Sequence, residues 1–336
     1  MITELIHKVV ERVNLTETEA GQAMEELMTG QATDAQIAGF LTALRMKGET
    51  AEELVGFARV MRDKAEPFWE GSRVPVVDIV GTGGDGSGTF NISTAAAFVT
   101  AGAARKVAKH GNRAASSKCG SADVLEALGV NIQMPKDKLL FAVRNIGFGF
   151  LFAQRFHKSM KHVMPVRSQL KMRTVFNILG PLANPARAEY QVVGVFSAGI
   201  MELMARAMSG LGVRHAFVVH GDDGVDEISI TGPTRVIELR DGGLRSYVIS
   251  PEDFGVTPAS AESIRGGDAA ENAAIIEAIL KGEQGPRRDV VLMNAAPALV
   301  ASGATASLKD GYMSAAVSID SGAALDKLLA VRKLSQ

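Results

Sequence analysis

Lys109 opens a run that reads Lys-His-Gly-Asn-Arg-Ala-Ala-Ser-Ser-Lys-Cys-Gly-Ser-Ala-Asp and continues to Gly129. Cations (Lys109, Arg113, Lys118), hydroxyls (Ser116, Ser117, Ser121), an amide (Asn112) and glycines (Gly111, Gly120) crowd together there with no helical or strand period. A hydrophobic core has no use for that mixture. A phosphorylated ligand does: it needs donors, positive charge and room for the backbone to approach. A solvated surface loop accounts for the cations but not for the serines and glycines beside them.

A second segment has the same character. Gly81-Thr82-Gly83-Gly84-Asp85-Gly86 directly follows the apolar run Val76–Val80 and precedes Asn91-Ile92-Ser93-Thr94. Strand, glycine loop and helix N-terminus together cradle phosphates with backbone N–H groups. The loop is not a Walker A sequence, and no Gly-x-Gly-x-x-Gly starts at Gly81. Taken alone it could be a plain glycine-rich turn between a strand and a helix. Lys109 closes the next strand, so both loops belong at strand C-termini, where open α/β sheets bind ligands.

Asp226-Glu227 follows the apolar strand Ala216–His220 and so stands at a third strand end. Its bland reading is an acidic turn. Carboxylates near a bound polyanion call for a cation between them, and Mg²⁺ binds one or two carboxylates plus substrate phosphate. Of the six histidines, His110 is the one placed in the site. His157 is intermediate. His7, His162, His215 and His220 read as surface or packing groups. No histidine pair has zinc spacing, and no Gly-x-Ser-x-Gly elbow is present. Cys119 reads as a small filler in a tight loop.

The surrounding elements must hold these loops. Residues 1–65 read as four short helices: an apolar face at Ile2, Leu5, Ile6, Val9, Val10 and Val13, then capping boxes at Thr16/Glu19, Thr33/Gln36 and Thr50/Glu53. Gly30 and Gly48 stand at C-cap positions. From Pro67 onward strands and helices alternate. The expected strands are Val76–Val80, Val107–Lys109, Gly149–Phe152, Val192–Phe196, Ala216–His220, Glu227–Ile230, Val236–Leu239 and Ser246–Ile249. The expected helices include Ser93–Ala103, Ser121–Leu128, Lys136–Asn145 and Ala198–Leu211. Ala269–Leu280, Val290–Ala301 and a final one from Gly311 toward Leu329 complete them. This pattern predicts an α/β fold: a small N-terminal all-α domain and a larger domain with a mostly parallel central sheet covered by helices. The basic stretch from Arg155 to Pro185 resists assignment. It reads as a helix and a rigid turn that pack back against the N-terminal helices.

Composition narrows the function classes. With 336 residues the chain is long enough for about two domains. A net charge of −1 argues against bulk affinity for nucleic acid or anionic membrane. A single cysteine excludes an intrachain disulfide and suits a reducing compartment. The N-terminus lacks a signal-peptide pattern and no apolar run spans a bilayer, so the expected location is the cytoplasm.

Taken together, Gly81–Asp85, Asn91–Thr94, Lys109–Ser117, Asp226-Glu227 and the stretch from Arg167 through Asn177–Pro185 resemble the anthranilate phosphoribosyltransferase family. The likeness spans nearly the whole chain. It is specific as a combination rather than piece by piece, and Asn112-Arg113-Ala114 discriminates best. The resemblance implies that phosphoribosyl pyrophosphate is held by Gly81, Gly84, Asp85, Thr89, Asn91, Ile92, Ser93, Thr94, Lys109, His110, Gly111, Asn112, Arg113, Ala114, Ala115, Ser116, Ser117 and Ser121. It implies that anthranilate lies against Gly81, His110, Asn112, Arg167, Gly180 and Pro181. Ser93, Asp226 and Glu227 would hold magnesium, two ions per monomer. It further implies a helical domain over residues 1–70 with a returning segment at about 155–180, a catalytic domain over 71–336, and a homodimer formed through the helical domain. Partners would be the two substrates, with no nucleic acid and no membrane.

Two rivals share parts of the pattern. Pyrimidine nucleoside phosphorylases share the fold, but their loop carries Lys-x-Ser where His110-Gly111-Asn112-Arg113 stands. A nucleic-acid-binding relative could use the basic Arg155–Arg173 stretch, but would have no reason to keep Gly81–Asp85 with Asp226-Glu227. One departure from the family pattern stands out: Lys158 and Ser159 replace a usual Pro-Ala before Met160.

Overall fold

Three reciprocal caps fix the starts of three helices. Each of Thr16, Thr33 and Thr50 accepts a hydrogen bond from the backbone N–H three residues on, and Glu19, Gln36 and Glu53 return the bond. Such a cap contributes about 1 kcal/mol. The helices are α1 (Ile2–Val10), α2 (Glu17–Thr29), α3 (Asp34–Lys47) and α4 (Ala51–Lys64). Glu53 is fully buried and its carboxylate also accepts from Leu15 N–H at 2.8 Å and Lys47 Nζ at 2.9 Å. The same side chain therefore caps α4 and anchors the α1–α2 connection. Gly56 lets α2 and α4 touch: a Cβ there would stand 2.3 Å from the Glu17 carbonyl oxygen and 2.9 Å from Ala20 Cβ.

The computed structural model describes residues 1–114 and 117–336. Its seven strands are β1 (Val77–Gly81), β2 (Val107–Gly111), β3 (Phe148–Phe152), β4 (Tyr190–Gly194), β5 (His215–Gly221), β6 (Thr234–Arg240) and β7 (Gly243–Ile249). They lie in the order β3-β2-β1-β4-β5-β6-β7. The first five are parallel, and β6 and β7 are antiparallel additions. The strand order reverses at β1. A crevice therefore opens at the carboxyl ends of β1 and β4, the usual ligand position in such sheets.

Helices cover both faces. They are α5 (Ile92–Gly102), α6 (Ser121–Ala127), α7 (Lys136–Phe141), α8 (Ala153–Phe156), α9 (Met164–Leu170), α10 (Phe176–Leu179), α11 (Met201–Gly210), α12 (Ala269–Leu280), α13 (Pro286–Ala301), α14 (Leu308–Asp320) and α15 (Ala323–Ser335). α5 is buried along most of its length because Ala95, Ala96, Ala97 and Ala101 admit close neighbours, while Phe98 stacks on Phe148 at 4.1 Å. The segment 155–185 does return to the helical domain. Val163, Val166, Val175, Phe176 and Ile178 join the apolar cluster that contains Leu27, Phe40, Leu44 and Phe57.

Three expected elements differ. Glu227–Ile230 is not a strand. Its backbone is satisfied instead by side chains: Asn294 accepts from Ile228 N–H at 2.8 Å and donates to Ile228 O at 2.9 Å, and Thr234 Oγ1 accepts from Ser229 N–H at 2.9 Å. The amide of Asn294 stands where a strand neighbour would be. The expected last helix is two helices, broken at Gly322, whose φ of 78° a right-handed helix cannot continue. The helix expected over Lys136–Asn145 becomes α7 followed by a wider π turn at Ala142–Ile146.

The α2–α4 contact is a direct test of helical-domain packing. Gly56→Ala should destabilise the protein by about 1–3 kcal/mol through overpacking. A urea titration would read this as a lower midpoint at unchanged slope.

Candidate active site

Gly81 and Gly194 end β1 and β4 at the same level of the sheet. Neither could carry a side chain. A Cβ on Gly194 would stand 1.6 Å from the Asp226 carbonyl oxygen, and one on Gly81 would stand 2.5 Å from Asp226 Oδ2. The loop after β5 therefore presses directly onto the strand ends. It carries Asp226 and Glu227 into the crevice. Asp226 Oδ2 accepts from Gly83 N–H at 2.7 Å, and Asp226 N–H donates to Asp85 Oδ2 at 3.3 Å. Glu227 Oε1 accepts from Ser93 N–H at 3.2 Å in the first turn of α5. The glycine loop and the acidic pair are one unit, although Asp85 and Asp226 stand 141 positions apart in sequence.

A buried cation faces them. Lys109, on β2, is 2% exposed. Its Nζ donates to the Ile79 carbonyl and to Ser93 Oγ at 3.2 Å. Burial pulls its pKa down, against the attraction of Asp78, Glu227 and Asp226. Asp78 lies fully buried within β1. Burial raises its carboxyl to about 6, opposed by Lys109 and by hydrogen bonds from Asn184 Nδ2 at 2.7 Å and His110 N–H at 3.1 Å. Burial raises Asp226 to about 7, aided by repulsion from Asp85. It raises Glu227 to about 8, aided by repulsion from Asp226. All three carboxyls are shifted toward the protonated form because the site is dry, and Asp226 and Glu227 also because their neighbours are acidic. A cation would displace those protons. Among the described residues no group of three or more His, Cys, Asp or Glu could hold a metal by itself. The donor set therefore suits a hard cation that takes its other ligands from a phosphate, as Mg²⁺ does.

The other residues expected at the phosphate are held as follows. Ala114 N–H and Gly120 N–H both donate to Asp123 Oδ2 at 2.9 Å, and Ser121 Oγ donates to Asn112 O at 3.3 Å. Asn91 Nδ2 holds Cys119 O at 3.2 Å and Asn91 Oδ1 accepts from Asn272 at 3.0 Å. Thr89 pairs with Arg265 in an isolated antiparallel bridge. Ile92 and Thr94 are buried in α5, Gly111 ends β2, and Ser117 donates weakly to Cys119 O at 3.4 Å. Arg113 is not directed into the crevice: it pairs with Asp123 at 2.9 Å and Glu126 at 2.5 Å. Ala115 and Ser116 lie outside the described residues.

A second, less charged region adjoins. His110 Nδ1 lies 3.1 Å from Gly180 O. A carbonyl only accepts, so Nδ1 carries the proton and Nε2 presents a lone pair. That Nε2 is buried and has no partner among the described residues. Burial, with help from His157, lowers His110 to about 3, and burial lowers His157 to about 4. The two rings are 5.2 Å apart and both are neutral at ordinary pH. Asn112 Oδ1 accepts from Gln154 at 3.2 Å, and Pro181 O accepts from Gln191 at 3.2 Å. Arg167, on α9, lies over the Phe176 ring at 5.1 Å and pairs with no carboxylate among the described residues. Burial lowers its pKa.

Sequence reasoning missed Asp78 and Asn184, and left His157 undecided. A lone carboxylate inside Val-Val-Asp-Ile-Val was a signal for Asp78. Asn184 carried none, since its partner is 106 residues away.

The raised carboxyls set a pH dependence. Above the ordinary carboxyl range the unfolded chain has lost these protons while the metal-free folded protein keeps them. The carboxyls' contribution to stability should therefore fall as pH rises from about 4 to about 8, while the neutral His110 and His157 pull the other way below the ordinary imidazole range. Glu227→Gln should flatten the upper part of that fall in thermal scans. Equal slopes in the two proteins would contradict the assignment.

Two family profiles match the chain: "Glycosyl transferase family, helical bundle domain" over residues 3–65 and "Glycosyl transferase family, a/b domain" over 73–325. Anthranilate phosphoribosyltransferase of Chloroflexus aggregans is 56% identical, covering 97% of this chain and 96% of the relative. That of Symbiobacterium thermophilum is 54% identical, covering 98% and 97%. Among solved structures, anthranilate phosphoribosyltransferase from Thermus thermophilus superposes with a TM-score of 0.93 at 45% identity, covering 98% of each chain. The Saccharomyces cerevisiae enzyme in complex with PRPP and Mg gives 0.90 at 29% identity, covering 99% and 97%. By profile, sequence and structure, the chain belongs to the anthranilate phosphoribosyltransferase family.

Proposed function

We propose that this protein transfers the 5-phosphoribosyl group of phosphoribosyl pyrophosphate to the amine of anthranilate. Pyrophosphate leaves and N-(5-phosphoribosyl)anthranilate forms, a step of tryptophan biosynthesis. One observation carries the reading: the buried acidic pair Asp226-Glu227 is built onto the Gly81–Asp85 loop opposite buried Lys109. That set suits a metal-bound diphosphate and little else. The yeast relative binds PRPP and Mg, and 4-fluoroanthranilate in a further structure.

In this reading Ser93, Asp226 and Glu227 hold two magnesium ions, which supply positive charge to the departing pyrophosphate. The Gly81–Asp85 amides and Asn91–Thr94 at the α5 N-terminus cradle its oxygens. Lys109 adds a fixed charge and orients Ser93. The serines of the Lys109–Ser121 run and, once released from Asp123 and Glu126, Arg113 hold the remaining phosphate. Arg167 pairs with the anthranilate carboxylate, and Asn112 and the Gly180-Pro181 turn fix the ring. His110 offers its neutral Nε2 to the aromatic amine as an acceptor. That amine is unprotonated near neutral pH, so no residue is assigned as general acid or base.

The division we adopt is a helical unit of residues 1–70 with the return at about 155–180, and a catalytic unit over the rest of 71–336. We take the protein to be a homodimer through the helical unit, on which Val10 and Met46 are 62% and 71% exposed. No helix is long and apolar enough to cross a membrane. We place the reaction in the cytoplasm, with no nucleic acid or membrane partner.

Loss of anthranilate fluorescence should require both phosphoribosyl pyrophosphate and magnesium. Phosphate-dependent cleavage of thymidine without anthranilate turnover would reverse the reading. Arg167→Ala should raise the anthranilate KM about ten- to a hundredfold, the loss of one charge-assisted pair. The phosphoribosyl pyrophosphate KM should stay nearly unchanged, and an equal rise in both would refute the carboxylate role. The double change Val10→Glu with Met46→Glu should elute at the mass of one chain in size exclusion. Elution of that variant at wild-type mass would place the interface elsewhere.

A further inference from the structure

The return segment makes one contact with the glycine loop that the reading above does not use. Lys171 ends α9 in a left-handed conformation, φ 48°, and the chain turns toward the crevice. Arg173 follows. Its Nη2 donates to the carbonyl oxygen of Gly84, and its guanidinium lies over the Phe196 ring at 4.0 Å. Phe196 is itself pinned, since its N–H donates to Thr82 Oγ1 at 3.0 Å. Arg173 pairs with no carboxylate among the described residues.

The loop needs such a hold. Gly83 and Gly84 have φ of 66° and 77° and no side chains to resist a peptide flip. Thr82 is tied through Phe196, and Gly83 and Asp85 through Asp226. The Gly84–Asp85 peptide is tied through Arg173. A trans peptide is planar, with its C=O and N–H pointing opposite ways. Holding the Gly84 carbonyl toward the return segment therefore turns the Asp85 N–H away from it, into the loop. We infer that Arg173 is a positioning residue for the diphosphate: by holding the Gly84 carbonyl it aims the Asp85 N–H at the phosphate cradle. This rests on the proposed reading of that loop.

Three variants separate orientation from charge. Arg173→Ala removes both the donor and the charge. Arg173→Gln keeps an N–H donor without charge, and Arg173→Lys keeps charge with poorer reach. Binding of inorganic pyrophosphate with magnesium is measured by calorimetry, together with kcat and both KM values. Arg173→Ala should weaken pyrophosphate binding and raise the phosphoribosyl pyrophosphate KM by about tenfold, the worth of one oriented hydrogen bond. The anthranilate KM and the melting temperature should not move. Arg173→Gln should restore most of the binding. Wild-type affinity in Arg173→Ala would overturn the inference. So would rescue by Lys but not by Gln, which would make the contribution one of charge. Pyrophosphate binding is read without the acceptor, so failure of the wild type to consume anthranilate would overturn the reaction alone.

Discussion

Asp226 and Glu227 are carboxyls pressed into the carboxyl edge of a parallel sheet, where water is excluded. Everything around them answers that constraint. Gly81 and Gly194 lack side chains because Asp226 passes where a Cβ would be. Lys109 is buried because the acids and Asp78 together offset the cost of removing its charge from water. Asp78 in turn needs Asn184, which reaches from the return segment and also holds the Ala108 carbonyl at 2.8 Å. Removing one member would leave another charge buried without a partner, which is why the group acts as a unit.

The neighbouring region is organised by the opposite principle. His110 and His157 are kept neutral by burial, and the Gly180 carbonyl settles which nitrogen of His110 carries the proton. A densely charged crevice thus adjoins a region whose two buried imidazoles are neutral. Lys109 and His110 are adjacent in sequence and alternate across β2. One therefore joins the acidic network while the other meets the return segment. The mixture of residue types in the Lys109–Ser121 run follows from that division.

Local signals were legible where the chemistry is local. Thr16/Glu19, Thr33/Gln36 and Thr50/Glu53 form their caps as the spacing demands, because a cap needs only its own turn. The alternation of apolar runs identified the strands that pair, and the glycine loop, Lys109 and the acidic pair all meet at strand ends. Glu227–Ile230 was misread because β-branched residues there pack inward while Asn294 satisfies the backbone from 66 residues away. Arg113 reads as a ligand cation, and no pattern in sequence announces its added pairs with Asp123 and Glu126 on α6. Asp78 could have been flagged by its apolar neighbours. Its dependence on Asn184 could not, since it exists only once the chain has returned.

That return has a consequence for the order of events during synthesis. The helical domain precedes the sheet in the chain, yet its apolar cluster also takes in Val163, Val166, Val175, Phe176 and Ile178 and, further on, Met201, Met204 and Met208 of α11. Until those emerge, Phe40, Phe57 and their neighbours lack part of their cover. The helical domain therefore shares its core with a segment roughly a hundred residues downstream, a long loop to close before the contact repays it. Chain growth does not hand this protein a finished N-terminal domain. It leaves part of that domain's core uncovered while β1, β2 and β3 are laid down.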